Sequence, residues 1–347
     1  MYKFILLCAT VVQTLSFTPI IMQLNRREAI GASIAYAATS FINDDKSKIC
    51  VIGSSSSTGR ECVKILASQN QHVLAISRSL LDLNGLELTK EQQSFVDRRS
   101  IDIKDKNALT NDVFKDVSAC IFVANAKKAA YNKYIKTDAE EFQNYEDIDV
   151  YALKNIIEKC KKNNVQKIVY VSASCRSCTD DPSSQYDKLC GISCENCQTK
   201  RIGETILQRS GIDYTIVRTG FLMQGPSRNI SDIELTQDYS KSGIFYYSDL
   251  SKICINALKY RDTSRTTFEA YYRDTTQPYD IKESLNKCIV LGHTAPECFF
   301  GEEFKDKPPK TLEEARKTPI KGSLFTTGYE FSGNTWKELF TGLEKDK

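Results

Sequence analysis

The chain has 347 residues and a net charge of +3, because 47 basic side chains nearly balance 44 acidic ones. This length is enough for one large α/β domain with an appendage. The sequence contains no block of basic residues that would indicate a nucleic-acid partner. It also contains no polar low-complexity tract that would indicate disorder. We therefore expect a folded protein that binds a small molecule or another protein, and no nucleic acid.

Two targeting signals precede the expected fold. Residues 4–12 are apolar and follow Lys3, which is typical of a secretory signal peptide and too short to span a bilayer. Residues 15–19 then resemble the Ser/Phe junction of bipartite plastid leaders in diatoms and related algae. Arg26 and Arg27 precede an uncharged stretch over residues 29–42, which looks like a twin-arginine thylakoid-transfer signal. The alternative is a plain transit peptide with an accidental arginine pair.

These signals predict a leader over residues 1–45, removed from the mature chain. They predict the plastid of a secondary-plastid alga, with the thylakoid lumen as a candidate compartment. We expect no transmembrane span in the mature chain, although association with the thylakoid remains an option.

A strand, a small-residue turn and a helix open the folded part. Residues 49–52 are apolar, and helical spacing begins after Gly59. Gly53 and Gly59 occupy the first and third positions of a G-x-x-G-x-x-G loop, with Ser56 at the middle position. Small residues let a backbone approach a pyrophosphate, which the N–H groups of the helix N-terminus then hold. The alternative is a Ser/Gly loop between two core elements.

The second predicted strand, residues 72–78, ends in Arg78, about 20 residues past the loop. A carboxylate at this point holds the ribose hydroxyls of NAD, whereas an arginine suits the 2′-phosphate of NADP. The sequence therefore predicts NADP as the cofactor, with NADPH preferred over NADH. The alternative is an ordinary surface arginine.

The alternation of strands and helices continues to the middle of the chain. Further strands are predicted at residues 98–103, 117–126, 165–174 and 212–218, and helices at 148–162 and 200–210. Six strands joined by helical crossovers predict an α/β fold, a Rossmann-type doubly wound parallel sheet. We predict a single NAD(P)-binding domain over residues 46–280, which contains a cysteine-rich insertion. A C-terminal extension at 281–347 follows, in which Trp336, Leu339 and Phe340 are expected to pack on the body.

The chain resembles the atypical short-chain dehydrogenase/reductases of the NmrA-like kind over roughly residues 48–270. The motifs that carry the resemblance are residues 51–60, 76–78, 102, 123–126, 168–173, 200–204 and 210–218, with 247–250 and 266–269 fitting the C-terminal half. The run Ser-Gly-Ile-Asp-Tyr-Thr-Ile-Val-Arg at 210–218 is the most specific of them. The resemblance implies one NAD(P)-binding domain and hydride transfer to or from a substrate.

The resemblance also implies roles for individual residues. Those expected to cradle the pyrophosphate belong to one loop: Gly53, Ser55, Ser56, Ser57, Thr58 and Gly59. Those expected along the rest of the cofactor are Arg78 at the 2′-phosphate, Asp102 and Ile103 at the adenine, and Ala124, Asn125 and Lys200 at the nicotinamide ribose. Ser172 would lie beside the reacting carbon.

Three departures from the family pattern weaken the catalytic interpretation: Ser56 replaces the middle glycine, the usual proline after the sixth strand is absent, and, most important, a tyrosine is missing. The Y-x-x-x-K motif of dehydrogenases, which supplies the proton donor, would place tyrosine at 196, where this chain has Asn196. Tyr186 could substitute, so the predicted catalytic residues are Lys200, Ser172 and Tyr186. The leading hypothesis is an NADP(H)-dependent reductase of an unknown substrate. The second is a non-catalytic NADPH or thiol redox sensor, or an assembly factor, that acts on a protein partner.

Five cysteines crowd the segment after the fifth predicted strand: Cys175, Cys178, Cys190, Cys194 and Cys197. The spacing of Cys175, Cys178, Cys194 and Cys197 fits a four-thiolate zinc site. Disulfides are the leading interpretation, favoured by an oxidising lumen, and free thiols are the third. Four other cysteines lie in strand or helix patterns and are predicted to be small core residues: Cys50, Cys62, Cys120 and Cys254.

Overall fold

The computed structural model describes residues 47–126, 145–174, 194–237, 241–278, 289–290, 292 and 330–347, and the side chains of 194–196 are excepted. The described residues belong to one compact unit, 38–347. The predicted leader, Tyr186, Cys175, Cys178 and Cys190 lie outside the described residues, as do the side chains of Cys194 and Asn196. Their predicted roles stay predictions.

An eight-stranded sheet forms the centre, in the order β3-β2-β1-β4-β5-β6-β11-β8. Its strands are β1 (Lys48–Ile52), β2 (Val73–Ser77), β3 (Val96–Ser100), β4 (Val117–Phe122), β5 (Lys167–Ala173), β6 (Asp213–Thr219), β8 (Ile233–Thr236) and β11 (Thr266–Tyr272). Seven strands run parallel, and β8 pairs antiparallel with β11. Short strands form two further ribbons, β7 (Phe221–Met223) with β10 (Ile244–Tyr246) and β9 (Lys241–Ser242) with β12 (Gln277–Pro278).

Helices cover both faces of this sheet. They are α1 (Ser57–Ser68), α2 (Lys90–Ser94), α3 (Leu153–Lys162), α4 (Cys194–Gln208), α5 (Tyr247–Ala257) and α6 (Trp336–Phe340). Side chains of α1, α5 and α6 share one hydrophobic core with one face of the strands, and side chains of α3 and α4 share the other. Alternation along β1 explains the two cores, since Ile49 and Val51 enter the first and Cys50 and Ile52 enter the second.

The chain order of the strands reverses between β1 and β4. From β1 the chain proceeds outward through β2 and β3, and it returns across the sheet to add β4, β5 and β6 on the other side. In open parallel sheets the connections diverge at such a point and leave a crevice at the carboxyl ends of the strands. The fold therefore places a candidate site beyond the ends of β1 and β4. Within the described residues, no helix has the length and apolar character needed to cross a membrane.

The doubly wound parallel sheet predicted from the sequence is confirmed, with two strands more than the six expected. Strand β3 lies two to three residues earlier than predicted. The additional strands β8 and β11 carry Glu234 and Glu269 at buried positions, which hides their apolar pattern. Arginines compensate these carboxylates, since Arg218 approaches Glu269 to 3.0 Å and Arg273 approaches Glu234 to 2.8 Å.

The C-terminal residues pack on the body, as expected for the tail helix. Leu339 and Phe340 are fully buried in the core shared with α1 and α5, while Trp336 is partly buried against it. Phe331 exchanges two backbone hydrogen bonds with Leu235 of β8. Near the terminus, Asp346 accepts hydrogen bonds from Tyr214 Oη at 3.0 Å and from Thr267 Oγ1 at 2.6 Å, among others. The tail therefore covers the sheet edge at β11 and β8.

Candidate functional site

A cleft of about 530 Å³ lies at the carboxyl ends of the central strands. It brings together the described residues that the sequence predicted for a cofactor site, with one exception. Those that line it are Gly53, Ser55, Ser56, Ser57, Thr58, Arg78, Asp102, Ile103, Ala124, Asn125, Ser172 and Lys200. The exception is Gly59, which lies beneath the loop rather than in its wall.

The glycine loop is built for close backbone approach. A Cβ atom on Gly59 would lie 2.2 Å from the Gly53 carbonyl oxygen, and one on Gly53 would lie 2.6 Å from the Ala124 nitrogen. Gly53 also has a φ of +89°, in the left-handed region that favours glycine. The two glycines therefore let the loop fold tightly between β1, β4 and α1, with its backbone facing the cleft.

Ser56, which replaces the middle glycine, has a structural role that the sequence analysis did not predict. It is the N-cap residue of α1, and its hydroxyl accepts a hydrogen bond from the Gly59 N–H at 3.0 Å. The first-turn N–H groups of Ser57 and Thr58 have no intrahelical acceptor. These groups, at the positive end of the helix dipole, fit the pyrophosphate of a dinucleotide.

Arg78 lies at the end of the cleft that is near β2, opposite the end formed beside β5. It follows β2 directly, its side chain is exposed, and it lines the cleft with Asp102 and Ile103. Its backbone is fixed because Ser100 Oγ donates to the Arg78 carbonyl at 2.7 Å. An arginine at this strand end fits a phosphate on the adenosine ribose.

Ser172 ends the cleft on the β5 side. It is 3% exposed, and its hydroxyl donates to the Glu204 carboxylate at 2.5 Å. Burial opposes ionisation of Glu204, but the guanidiniums of Arg218 and Arg201 outweigh it and lower the pKa of this carboxyl. Glu204 is therefore ionised at neutral pH, and the Ser172 oxygen is left free to accept, rather than donate, a hydrogen bond in the cleft.

Lys200 completes this end of the cleft. Its ammonium lies 2.7 Å from Asp149 Oδ1, and both side chains are almost fully buried. The same ammonium sits 5.1 Å from the centre of the Tyr170 ring and donates to the Val171 carbonyl at 3.3 Å. Burial and the Asp149 charge raise the pKa of Tyr170 well above its usual range, so this phenol stays protonated and donates to Asp149.

Asp149 and Glu204 contact the candidate site through Lys200 and Ser172, and the sequence analysis assigned neither of them a role. Asp149 lies on a single π-helical segment, Asp147–Ala152, which leads into α3, and such segments occur often at functional sites. The available signal for Glu204 was its spacing from Lys200, since residues four apart share a helix face. No comparable spacing indicated Asp149, because it lies on a different helical segment from Lys200 and about 50 residues earlier in the chain.

Four predicted core cysteines are confirmed as buried free thiols: Cys50, Cys62, Cys120 and Cys254. Burial raises the pKa of the Cys50 and Cys254 thiols, which keeps them protonated. In the part of the chain that the structure describes, no group of three or more His, Cys, Asp or Glu side chains could hold a metal ion. The predicted zinc cysteines fall mainly outside that part, so the zinc and disulfide alternatives are not separated by this finding.

Comparison with known proteins adds independent findings. An uncharacterized chloroplastic protein of Arabidopsis thaliana is 23% identical over 236 residues, which cover 65% of this chain and 77% of the relative. An oxidoreductase from Lactococcus lactis has a similar structure, with a TM-score of 0.49 and 15% identity over 71% of this chain and 99% of that one. A short-chain dehydrogenase/reductase from Veillonella parvula in complex with NADP gives a TM-score of 0.48 and 14% identity, over 66% and 96%.

A family model described as NAD(P)H-binding matches residues 53–279, which include the glycine loop, Arg78, Ser172, Lys200 and β11. The match begins at the first glycine of the loop and ends just after the last strand of the sheet. The chain therefore belongs to the NAD(P)H-binding family of atypical short-chain dehydrogenase/reductase-like proteins, as its motifs indicated.

Proposed function

We propose that the protein is an NADP(H)-dependent reductase. The observation that carries the proposal is one continuous cleft with a phosphate-binding loop in its middle, Arg78 at one end, and Ser172 and Lys200 at the other. A bound NADPH would supply a hydride at the end formed by Ser172 and Lys200. Arg78 would pair with the 2′-phosphate, and the first turn of α1 would hold the pyrophosphate.

The residues at the reacting end have defined tasks in this proposal. Lys200, held by Asp149, would orient the nicotinamide ribose. The Ser172 hydroxyl donates its hydrogen bond to Glu204, so its oxygen would accept a hydrogen bond from the nicotinamide carboxamide or from a substrate N–H or O–H. Asn196 would not supply a proton to a nascent alkoxide, so Tyr186 or solvent would have to do so.

A second function is favoured by the same two contacts. Lys200 and Ser172 are both committed to buried carboxylates, Asp149 and Glu204, and the tyrosine of the dehydrogenase motif is replaced by Asn196. These features suit a protein that binds NADPH without turnover. Such a protein would report the NADPH level, or the thiol redox state, to a protein partner.

Turnover separates the two functions. We would measure oxidation of NADPH over a broad panel of carbonyl and enone compounds, after confirming cofactor binding by titration. The reductase proposal expects turnover with at least one compound, and it expects Ser172→Ala to slow that turnover. Binding of NADPH with no oxidation over the whole panel would contradict the reductase and favour the sensor.

We also propose a plastid location. The predicted leader and the chloroplastic relative in Arabidopsis thaliana support it. The secondary-plastid alga and the thylakoid lumen are proposed on the leader alone. A fluorescent fusion of residues 1–45 tests the location, since retention of the fusion outside the plastid would contradict it.

The cysteine segment belongs to this proposal. Cys197 is buried, and we propose that it forms a disulfide rather than a zinc bond or a free thiol. Loop-closing disulfides contribute roughly 2–4 kcal/mol when unstrained. We expect a reducing agent, but not a chelator, to speed limited proteolysis near Asp181. Acceleration by the chelator alone would favour zinc, and no change with either would favour packed thiols.

A further inference from the structure

Beyond the cofactor residues, an apolar wall borders the reacting end of the cleft. It is formed by Phe221, Leu222 and Tyr247, which all line the cleft, and we call these three residues the cleft wall. Sequence reasoning assigned none of them to a site. The cofactor roles described above do not use them.

The wall is a rigid structure built from two chain segments. Strand β7 pairs in parallel with β10, so that Phe221 faces Ile244 and Leu222 faces Phe245 across the ribbon. Tyr247 follows β10 directly and opens α5. The ribbon and the helix therefore bring Phe221 and Tyr247 to the same side of the cleft.

Hydrogen bonds fix this wall to the phosphate loop and to the body. In α5, Ser251 Oγ donates to the Thr58 carbonyl at 2.9 Å, and both groups are buried. Asp249 accepts from Tyr272 Oη at 2.6 Å and from the Arg228 backbone N–H at 2.8 Å. The wall thus keeps a constant position relative to the loop that would hold the cofactor.

The side chains of the cleft wall differ in their exposure to solvent. Leu222 is partly buried and packs on the core shared by α1 and α5. Phe221 is 41% exposed, and Met223, two residues along the strand and therefore on the same face, is 39% exposed. Neighbouring exposed apolar side chains beside a cleft are typical of ligand-binding grooves. The phenol of Tyr247 makes no hydrogen bond or ion pair with the described residues and is half-buried.

The charges at the same end of the cleft are neutralised within the protein. Lys200 pairs with Asp149 at 2.7 Å, and Arg201 pairs with Glu204 at 2.7 Å. An anionic ligand would have to compete with a carboxylate that is already in place at each cation. An uncharged ligand meets no such competition and gains from burial against Phe221.

We propose that the substrate end of the cleft takes an uncharged molecule with a large apolar, ring-bearing body, which packs on Phe221 and accepts or donates a hydrogen bond at the Tyr247 phenol. This inference rests on the proposed reductase function, of which it names the substrate class. Phe221 and Tyr247 are specificity-determining residues in it.

The test uses the full chain saturated with NADP⁺, because this oxidised cofactor does not fluoresce. Prodan, a neutral fluorescent naphthyl ketone, is titrated against it, with anilinonaphthalene sulfonate as an anionic probe of similar ring size. We expect prodan to bind about tenfold more tightly than the anionic probe. Phe221→Ser should weaken prodan binding roughly fivefold, and Tyr247→Phe roughly threefold. Ile202→Ser is the matched control, because Ile202 is 47% exposed on α4 and does not line the cleft.

Each outcome decides the matter. Equal or tighter binding of the anionic probe, absence of prodan binding, or no effect of Phe221→Ser beyond that of Ile202→Ser would overturn the inference. The proposed function would survive each of these results, because NADP⁺ binding is measured separately in the same samples. Failure of NADP⁺ itself to bind would overturn both.

Discussion

At the scale of single residues, the Ser56 hydroxyl has a structural role in the glycine loop, where it replaces the middle glycine. The sequence analysis placed this side chain at the position of the missing glycine, among the residues expected to cradle the pyrophosphate. Instead it turns back and accepts from the Gly59 N–H, so it stabilises the start of α1. A cap hydroxyl satisfies one of the N–H groups that a helix leaves unpaired at its beginning.

This role predicts the ranking of two substitutions. Ser56→Ala should lower the free energy of unfolding by about 1 kcal/mol, because alanine cannot cap, whereas Ser56→Gly should cost only a few tenths. Urea unfolding of both variants measures this difference. An alanine variant as stable as the wild type would show that the hydroxyl does not stabilise the helix.

The glycine loop and the strand end that line the cleft could be predicted from the sequence, because they lie on short, local patterns. Gly53, Gly59 and Arg78 are fixed by spacing along a strand, a turn and a second strand. The partners of Ser172 and Lys200 were not predictable in this way, since Glu204 and Asp149 reach them through tertiary packing. The apolar wall was missed for the same reason, because β7 and α5 meet only in the fold.

At the scale of elements, the π-helical segment Asp147–Ala152 and α4 form a buried polar contact. Asp149 accepts from Tyr170 and from Thr199 in addition to pairing with Lys200. Gly203 allows the close approach, because a Cβ there would lie 2.5 Å from the Asp149 carbonyl oxygen. The contact therefore fixes α4, and with it Lys200, beside the end of β5.

Breaking one side of this pair should be costly. Lys200→Met leaves a buried, uncompensated carboxylate and should lower the free energy of unfolding by about 3–5 kcal/mol. The double variant Lys200→Met with Asp149→Asn should recover part of this loss. Lys104→Met is the matched control, because Lys104 pairs with Asp147 of the same segment at 3.7 Å but is well exposed. That change should cost at most about 1 kcal/mol.

Urea unfolding of these three variants, of the single variant Asp149→Asn and of the wild type measures these differences. A double variant whose loss equals the sum of the two single losses would contradict the buried pair. So would a Lys200→Met variant no less stable than Lys104→Met.

The elements themselves were predicted unevenly. Strands with continuous apolar runs, such as β1 and β2, were found because burial on both faces selects apolar residues. β11 was not, because Glu269 is fully buried beside Arg218 and interrupts the pattern. On α4, Ile202 is 47% exposed, while Leu207 on the same helix is buried. Helical spacing alone did not determine which of the apolar residues on α4 enter the core.

At the scale of the whole molecule, the two ends of the sheet differ in character. The carboxyl ends of the strands carry the cleft, whereas the amino end of β5 carries Lys167, which is fully buried. Its ammonium donates to the Ala257 carbonyl at 2.8 Å and to Thr263 Oγ1 at 2.9 Å. Burial lowers the pKa of Lys167 to about 7.

This shift predicts how stability depends on pH. In the unfolded chain the lysine keeps its proton up to about pH 10.5, whereas in the folded chain it loses it near pH 7, so the unfolded state binds more protons between these values. Stability from this group is therefore lost at low pH and gained as pH rises through this window. Between about pH 7 and about pH 9, the wild type should gain on the order of 1–2 kcal/mol relative to Lys167→Met.

Urea unfolding at the two pH values measures this gain, and comparing differences cancels the contribution of groups common to both proteins. If the variant shows the same change with pH as the wild type, Lys167 does not titrate in this window.

The doubly wound architecture was accessible from the sequence because it follows from the alternation of strands and crossover helices. The extension of the sheet by β11 and β8, and the packing of the C-terminal tail on it, could not be predicted from the sequence. Both depend on long-range contacts such as Phe331 with Leu235 and Asp346 with Tyr214, which leave no periodic signal. The tail therefore belongs to the same core as the cofactor-binding part of the chain.

The central claim is that the cleft binds NADP(H) through Arg78. Direct titration of NADPH and NADH against the wild type and Arg78→Ala tests it, with Arg99→Ala as control, because Arg99 is exposed on β3 and pairs with Asp97 outside the cleft. The wild type and the control should prefer NADPH by on the order of 1.5–3 kcal/mol, and Arg78→Ala should lose that preference. Equal affinities for the two cofactors in the wild type, or binding of neither, would contradict the account.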